Sequence, residues 1–233
     1  MNIAVILAGG IGSRMRSDGF PKQYIEVKGK PILIYTLEKF QACAEVDRIV
    51  VVAHSQWEEK ILSWAEQYGI DKLGCVAPQG ETRQESVLNG LQACRKYADT
   101  PDDVVLIHDA ARPLVSTGLI SACVAAIAGY DGCLPVIPVK DTMYYSVDGK
   151  TINDLTDRSK LFCGQSPEAF KLQRYLALNE ETPRQILQQI RGCSELAFQN
   201  GFHICMIQGE EMNFKLTTAE DLDRLCTFLL EDG

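Results

Sequence analysis

Short, continuous apolar runs separated by longer segments of helical spacing predict an α/β fold, a doubly wound and mostly parallel sheet. The runs are IAVILA (3–8), RIVVVA (48–53), LGCVAP (73–78), DVVLIH (103–108), GCLPVIPV (132–139) and HICMIQ (203–208). They are unbroken rather than alternating, as strands covered on both faces are. A glycine-rich turn follows the first run directly, the usual place for a ligand-holding loop in such sheets. The chain has 233 residues, 46% apolar and 23% charged, enough for one domain with a buried core.

The elements follow in order. The strand at 3–8 leads into the turn GGIGSR (9–14). Pro31 suits the first position of a helix, and Ile32, Leu33, Tyr35, Thr36, Leu37 and Phe40 line its inward face. Helical spacing recurs at 56–68, 82–97, 117–128, 184–200 and 219–230, between the strands. Thr218 with Asp221 three residues on is a capping signal for the last helix. Segment 141–158 breaks the rhythm: β-prone residues flank Asp148-Gly149, a hairpin-turn dipeptide. A lone two-stranded hairpin is marginal in water. It therefore either folds back on its own domain or packs on a second subunit. The whole is read as one domain, 1–233, with 141–158 as an arm.

Composition excludes several functions. The net charge of −8 argues against a non-specific nucleic-acid binder, though clustered cations can still hold a small anion. No stretch approaches the roughly 18 apolar residues of a membrane span. The opening MNIAVILAGG has no basic region, and its apolar run is too short for a signal peptide. The nine cysteines form no CxxC pair and no zinc-spaced cluster, so they read as reduced core thiols of a cytoplasmic protein.

The candidate chemistry is anionic-ligand chemistry. The first loop is not a Walker A sequence, and Met15 stands where a dinucleotide fingerprint needs its third glycine. Its glycines still free backbone N–H groups for an anion, and Arg14 and Lys22 can reach a polyphosphate. HDAARP (108–113) ends a central strand; Asp109 suits Mg²⁺ and Arg112 a second anion. His108 reads as structural, and no histidine lies in a nucleophile motif. GETRQESV (80–87) opens a helix, where Gly80, Glu81, Arg83 and Ser86 can present hydrogen bonds to a nucleobase. Lys215 precedes the last helix.

The order of LAGGIGSRM, PKQY, GETRQESVLNGL, HDAARP, VKDT, GQSPEAF and NFKLTT resembles the cytidylyltransferases that join CTP to polyol phosphates. That family includes the methylerythritol phosphate and the ribitol-5-phosphate cytidylyltransferases. The resemblance spans roughly residues 3–222. It implies CTP and a polyol phosphate as substrates and Mg²⁺ as cofactor. Leu7, Ala8, Gly9, Gly10, Gly12 and Ser13 would wrap the triphosphate, with Arg14, Lys22 and Lys215 as catalytic cations. Gly80, Glu81, Arg83 and Ser86 would recognise cytosine. Asp109, Arg112, Thr142 and Arg158 would serve the acceptor, Asp109 also lying near the metal. The arm would cross to the other subunit of a homodimer, taking Thr142 and Arg158 into the partner's site.

The acceptor is less uniformly marked. LAGGIGSRM and GQSPEAF look like the ribitol type, whereas HDAARP is common among methylerythritol enzymes. Where the family usually carries Thr-Asp, this chain has Ser194 and Glu195. The balance favours ribitol 5-phosphate. A non-catalytic nucleotide-binding module is the reading from a different class; it predicts degraded cations, and these are present.

Overall fold

A computed structural model describes residues 1–10, 20–98 and 100–231. In chain order these form β1 (Asn2–Leu7), β2 (Glu26–Val27), β3 (Lys30–Pro31), α1 (Ile32–Ala42), β4 (Arg48–Ala53), α2 (Glu58–Gln67) and β5 (Leu73–Pro78). Then come α3 (Arg83–Cys94), β6 (Val104–Asp109), α4 (Thr117–Ala126) and β7 (Gly132–Pro138). The arm carries β8 (Tyr144–Tyr145) and β9 (Asp154–Leu155). The chain returns through β10 (Phe162–Gly164) and β11 (Glu168–Lys171) to α5 (Leu172–Glu181), α6 (Arg184–Leu187) and α7 (Cys193–Gln199). β12 (Ile204–Gln208) and α8 (Ala219–Glu231) close it.

The mostly parallel sheet is present. β5, β4, β1 and β6 are adjacent and parallel, and β12 runs parallel to β7 at the far side. Between β6 and β7 lies β11, antiparallel to both, with β10 antiparallel to the outer half of β7. Alternate strand residues serve two cores. Ala4, Ile6, Val51 and Leu106 pack with Leu37, Phe40 and Ile120 of α1 and α4. Ile3, Val5, Val50 and Ile107 pack with Val87, Leu91 and Tyr175 of α3 and α5. This two-sided burial is why the strands read as unbroken apolar runs. Helix α3 lies very close to the sheet, because a Cβ on Gly90 would stand 2.5 Å from Val5 Cγ1.

Several elements differ from expectation. The helix expected at 184–200 is two helices, α6 and α7, separated by residues 188–192, with Gly192 at the N-cap of α7. Pro31 is the N-cap of α1, one position earlier than expected. β10, β11 and α5 carried no sequence expectation; the two strands are only three and four residues long. The last helix does begin with a reciprocal cap: Asp221 N–H donates to Thr218 Oγ1 at 3.3 Å, and Thr218 N–H donates to Asp221 Oδ2 at 2.9 Å. No helix among the described residues is long and apolar enough to cross a membrane.

Segment 141–158 is a hairpin on which β8 and β9 share a two-residue ladder. It is exposed throughout, with Val147 at 76% and Leu155 at 70% accessibility, and Tyr144, Tyr145 and Ile152 exposed beside them.

Candidate active site

A cleft of about 500 Å³ opens at the C-terminal ends of β1 and β6. Sheet order diverges there, β4 pairing one edge of β1 and β6 the other. Such a crevice is where open α/β sheets hold ligands. Leu7, Gly9 and Gly10 form one wall, Gly80, Glu81, Arg83 and Ser86 another, and Lys22, Asp109 and Lys215 face them. Most of the residues singled out by sequence therefore converge on one cavity. Gly12, Ser13 and Arg14 lie outside the described residues. Ala8 is buried directly behind the wall. Thr142 and Arg158 sit on the exposed arm and do not line the cleft of their own chain; Arg158 Nη1 donates to Lys140 O at 2.7 Å.

The short turn after Pro21 shapes the first wall. Gln23 Nε2 donates to the carbonyls of Ala8 and Gly10, and Tyr24 Oη donates to Ala8 O at 2.9 Å. These bonds engage the carbonyl oxygens of the wall, which lessens their repulsion of an anion. Gly9 has no room for a side chain: a Cβ would stand 2.4 Å from Gln79 Oε1. The same turn aims Lys22 at the last loop, where its ammonium donates to Leu216 O. Leu216 N–H is in turn bonded to Ala111 O at 2.8 Å, next to Lys215.

The loop 80–86 is self-braced. Ser86 Oγ accepts from Gly80 N–H at 3.0 Å and donates to Thr82 O at 2.9 Å. Thr82 caps α3 by accepting from Glu85 N–H at 3.2 Å.

Asp109 is the electrostatic centre. Lys215 Nζ lies 2.8 Å from Oδ2, Arg83 Nε 3.6 Å from Oδ1, and Arg112 Nε 3.8 Å from Oδ2. Burial alone would raise the Asp109 carboxyl, but Arg83 and Lys215 hold it well below the usual carboxylate range. Arg83 is anchored from below as well: Nη2 lies 3.4 Å from Glu168 Oε1 and Nη1 donates to Cys193 Sγ at 3.2 Å. Glu168 Oε2 accepts from both N–H and Oγ of Ser194 at 2.7 Å. Ser194 thus supports the floor through Glu168, while Glu195 accepts from Arg191 N–H at 2.8 Å.

His108 is fully buried beneath this floor. Its Nε2 lies 3.1 Å from Arg112 O, which can only accept, so Nε2 carries the proton. Nδ1 then accepts from Ser166 Oγ at 2.9 Å, and Ser166 Oγ accepts from Asp109 N–H at 3.2 Å. Burial lowers the imidazole pKa from 6.5 to about 4. Between these values the unfolded chain binds a proton that the native state refuses, so stability falls as pH drops from 6.5 toward 4. Denaturant titrations across that range should lose about 3 kcal/mol to this group, at about 1.36 kcal/mol per pH unit. The Asp109 contribution has the opposite origin and is lost only below about pH 3.8. A flat profile between pH 6.5 and 4.5, or an unchanged slope in His108→Gln, contradicts the assignment.

Sequence reasoning passed over Gln23, Gln79, Glu168 and Thr217. Gln79 and Thr217 line the cleft, and Glu168 sits beneath it. Gln23, Glu168 and Thr217 each lie inside a motif already noted, PKQY, GQSPEAF and NFKLTT. Gln79 adjoins the 80–86 loop. Among the described residues no group of three or more His, Cys, Asp or Glu side chains could hold a metal. Asp109 offers one carboxylate already crowded by cations. It fits Mg²⁺ only alongside phosphate oxygens and water, which supply most Mg²⁺ ligands in nucleotide sites.

A cleft at the strand crossover, lined by Lys22, Arg83 and Lys215 beside a glycine-rich wall, is one in which a nucleotidyltransferase could hold its anionic substrates. The model of the IspD family, 2-C-methyl-D-erythritol 4-phosphate cytidylyltransferase, matches residues 2–231. The chain belongs to that cytidylyltransferase family. A ribitol-5-phosphate cytidylyltransferase of Streptococcus agalactiae is 34% identical over 95% of this chain and 92% of its own. A 2-C-methyl-D-erythritol 4-phosphate cytidylyltransferase of Rubrobacter xylanophilus is 40% identical over 94% of this chain and 91% of its own. The crystal structure of 4-diphosphocytidyl-2C-methyl-D-erythritol synthase from Anaerococcus prevotii superposes with a TM-score of 0.81 at 26% identity, covering 99% of this chain and 96% of that one.

Proposed function

We propose that this cytidylyltransferase joins CTP to a polyol phosphate, releasing pyrophosphate, with ribitol 5-phosphate the preferred acceptor. The observation that carries the reading is the meeting of Lys22, Lys215, Arg83 and Asp109 in one cleft against the glycine-rich wall. An acceptor phosphate oxygen forms a bond to the α-phosphorus of CTP. The bond from that phosphorus to the β-bridging oxygen breaks, and pyrophosphate leaves with the electron pair. Both reactants are anions, so Lys22 and Lys215 neutralise charge as it spreads over the reacting phosphates. The acceptor oxygen is already ionised near neutral pH, so no general base is needed. This agrees with a His108 whose two ring nitrogens are engaged elsewhere. Arg83 orients Asp109 rather than reacting itself. Asp109 would hold Mg²⁺ together with the triphosphate, adding positive charge at the reacting phosphates.

The ribitol preference rests on LAGGIGSRM and GQSPEAF and on relatives of that name. Methylerythritol phosphate is the second reading, favoured by HDAARP and by the 40% identical relative. The purified protein with CTP and Mg²⁺ should release pyrophosphate with ribitol 5-phosphate at least about tenfold faster than with methylerythritol 4-phosphate. The reverse order selects the second reading. No release with any polyol phosphate, in a folded sample that binds CTP, refutes both.

We further propose a homodimer joined by the 141–158 arm. Isolated hairpins are marginal, and the exposed Tyr144, Tyr145, Val147, Ile152 and Leu155 form the kind of apolar surface that marks an interface. With nine free thiols, a reducing cytoplasmic location is the matching compartment.

A further inference from the structure

The wall that faces the nucleotide cleft across Gly80 has a second cavity behind it. Gln79, Gly80 and Glu81 line the cleft on one side and a cavity of about 630 Å³ on the other. A loop with space on both faces is not held by a packed core. Its position must come from directed contacts.

Besides the bonds from Gly80 N–H to Ser86 Oγ and from Gln79 N–H to Ala53 O, those contacts converge on Glu85 and Arg184. Glu81 N–H donates to Glu85 Oε2 at 2.8 Å, which ties the loop to the first turn of α3. Gly80 packs so tightly there that a Cβ would stand 2.3 Å from Glu85 Cβ. Arg184, at the start of α6, spans both acids: Nε donates to Glu85 Oε1 at 2.6 Å, and Nη2 lies 2.9 Å from Glu81 Oε2. Gln188 Nε2 approaches Glu85 Oε1 at 3.4 Å. The hydrogen bond from Arg184 is the leading cause of a lowered Glu85 carboxyl pKa. The segment that carries Arg184 leads into α7, whose Cys193 and Ser194 sit under Arg83 and Glu168. One stretch of chain therefore touches the outside of the wall and the floor of the cleft.

We propose that Arg184 is a positioning residue for the nucleotide, bracing the 79–81 wall from outside through Glu81 and Glu85. The inference rests on the proposed use of CTP. It adds a determinant of nucleotide affinity that touches no substrate. Only a planar fork reaches both carboxylates at once, so lysine replaces it incompletely.

Steady-state kinetics of Arg184→Ala should show KM for CTP raised about fivefold, with kcat and the acceptor KM within about twofold of the parent. Arg184→Lys should fall between the two. Amide hydrogen exchange on the ligand-free protein should speed up at Gly80 and Glu81 in Arg184→Ala, with the thermal midpoint unchanged. An unchanged KM for CTP together with unchanged exchange overturns the proposal. So does a parallel fall of kcat and thermal midpoint, which marks a general structural role. If the parent protein itself releases no pyrophosphate, the functional reading fails, and the exchange result still decides whether Arg184 braces the wall.

Discussion

Replacing Lys22 by alanine is expected to lower kcat about 10²–10³-fold, the usual cost of deleting one preorganised group that stabilises developing charge. Lys22 Nζ is held at the mouth of the cleft by Leu216 O, whose own N–H is fixed to Ala111 O. In the proposed reaction this geometry would cost little reorganisation as charge builds up on the reacting phosphates. Lys215→Ala should match it in size. Its ammonium is 2.8 Å from Asp109 Oδ2, and its removal also leaves that carboxylate with less counter-charge. Neither side chain belongs to the packed core, so thermal midpoints should stay close to the parent value. Single-turnover measurement at saturating CTP reads the chemical step directly. A kcat within tenfold of the parent in either variant rules out its catalytic role.

Mixing two inactive variants is expected to restore about a quarter of the parent activity if the arm crosses between subunits. Arg158→Ala disables the arm, and Lys22→Ala disables the body of the cleft. Random reassortment makes about half the dimers mixed, and each mixed dimer carries one site with an intact body and an intact arm. That site pairs the Lys22-bearing body with the partner's undamaged arm, an arrangement only a site completed by the other subunit allows. The motivating geometry is that Arg158 lies on an exposed hairpin and does not line its own chain's cleft. Activity of Arg158→Ala near the parent level removes the arm from the mechanism. Failure of mixed samples to regain activity after verified exchange places Arg158 in its own subunit's site.

Much of this is legible in the sequence alone. Leu7, Gly9, Gly10, Gly80 and Asp109 stand at or just beyond strand ends, which apolar runs locate well, whereas Lys22 and Lys215 are marked only by the motifs PKQY and NFKLTT. What escaped were groups whose role is set by a partner remote in sequence. Glu168 lies in a four-residue antiparallel strand that no periodicity announces, and it meets Arg83, 85 positions away. Arg184 lies in a stretch expected to be one long helix, which instead stops at Leu187 and resumes at Cys193. Ser86 and Arg83, read as base contacts, have hydrogen bonds within the loop and the floor that only the folded arrangement reveals.

The sequence by itself determined the two-sided sheet, the family and the chemical type of the ligand. The sheet follows from unbroken apolar runs, and the family and its ligand from the order of seven short motifs that resemble known cytidylyltransferases. Tertiary structure alone decided how the charges are paired. Asp109 lies within 4 Å of Arg112, three residues on, and of Arg83 and Lys215, brought from loops far apart in the chain, while burial keeps His108 neutral beneath. Coulombic pairing depends on distance and burial, and neither is written in the order of residues.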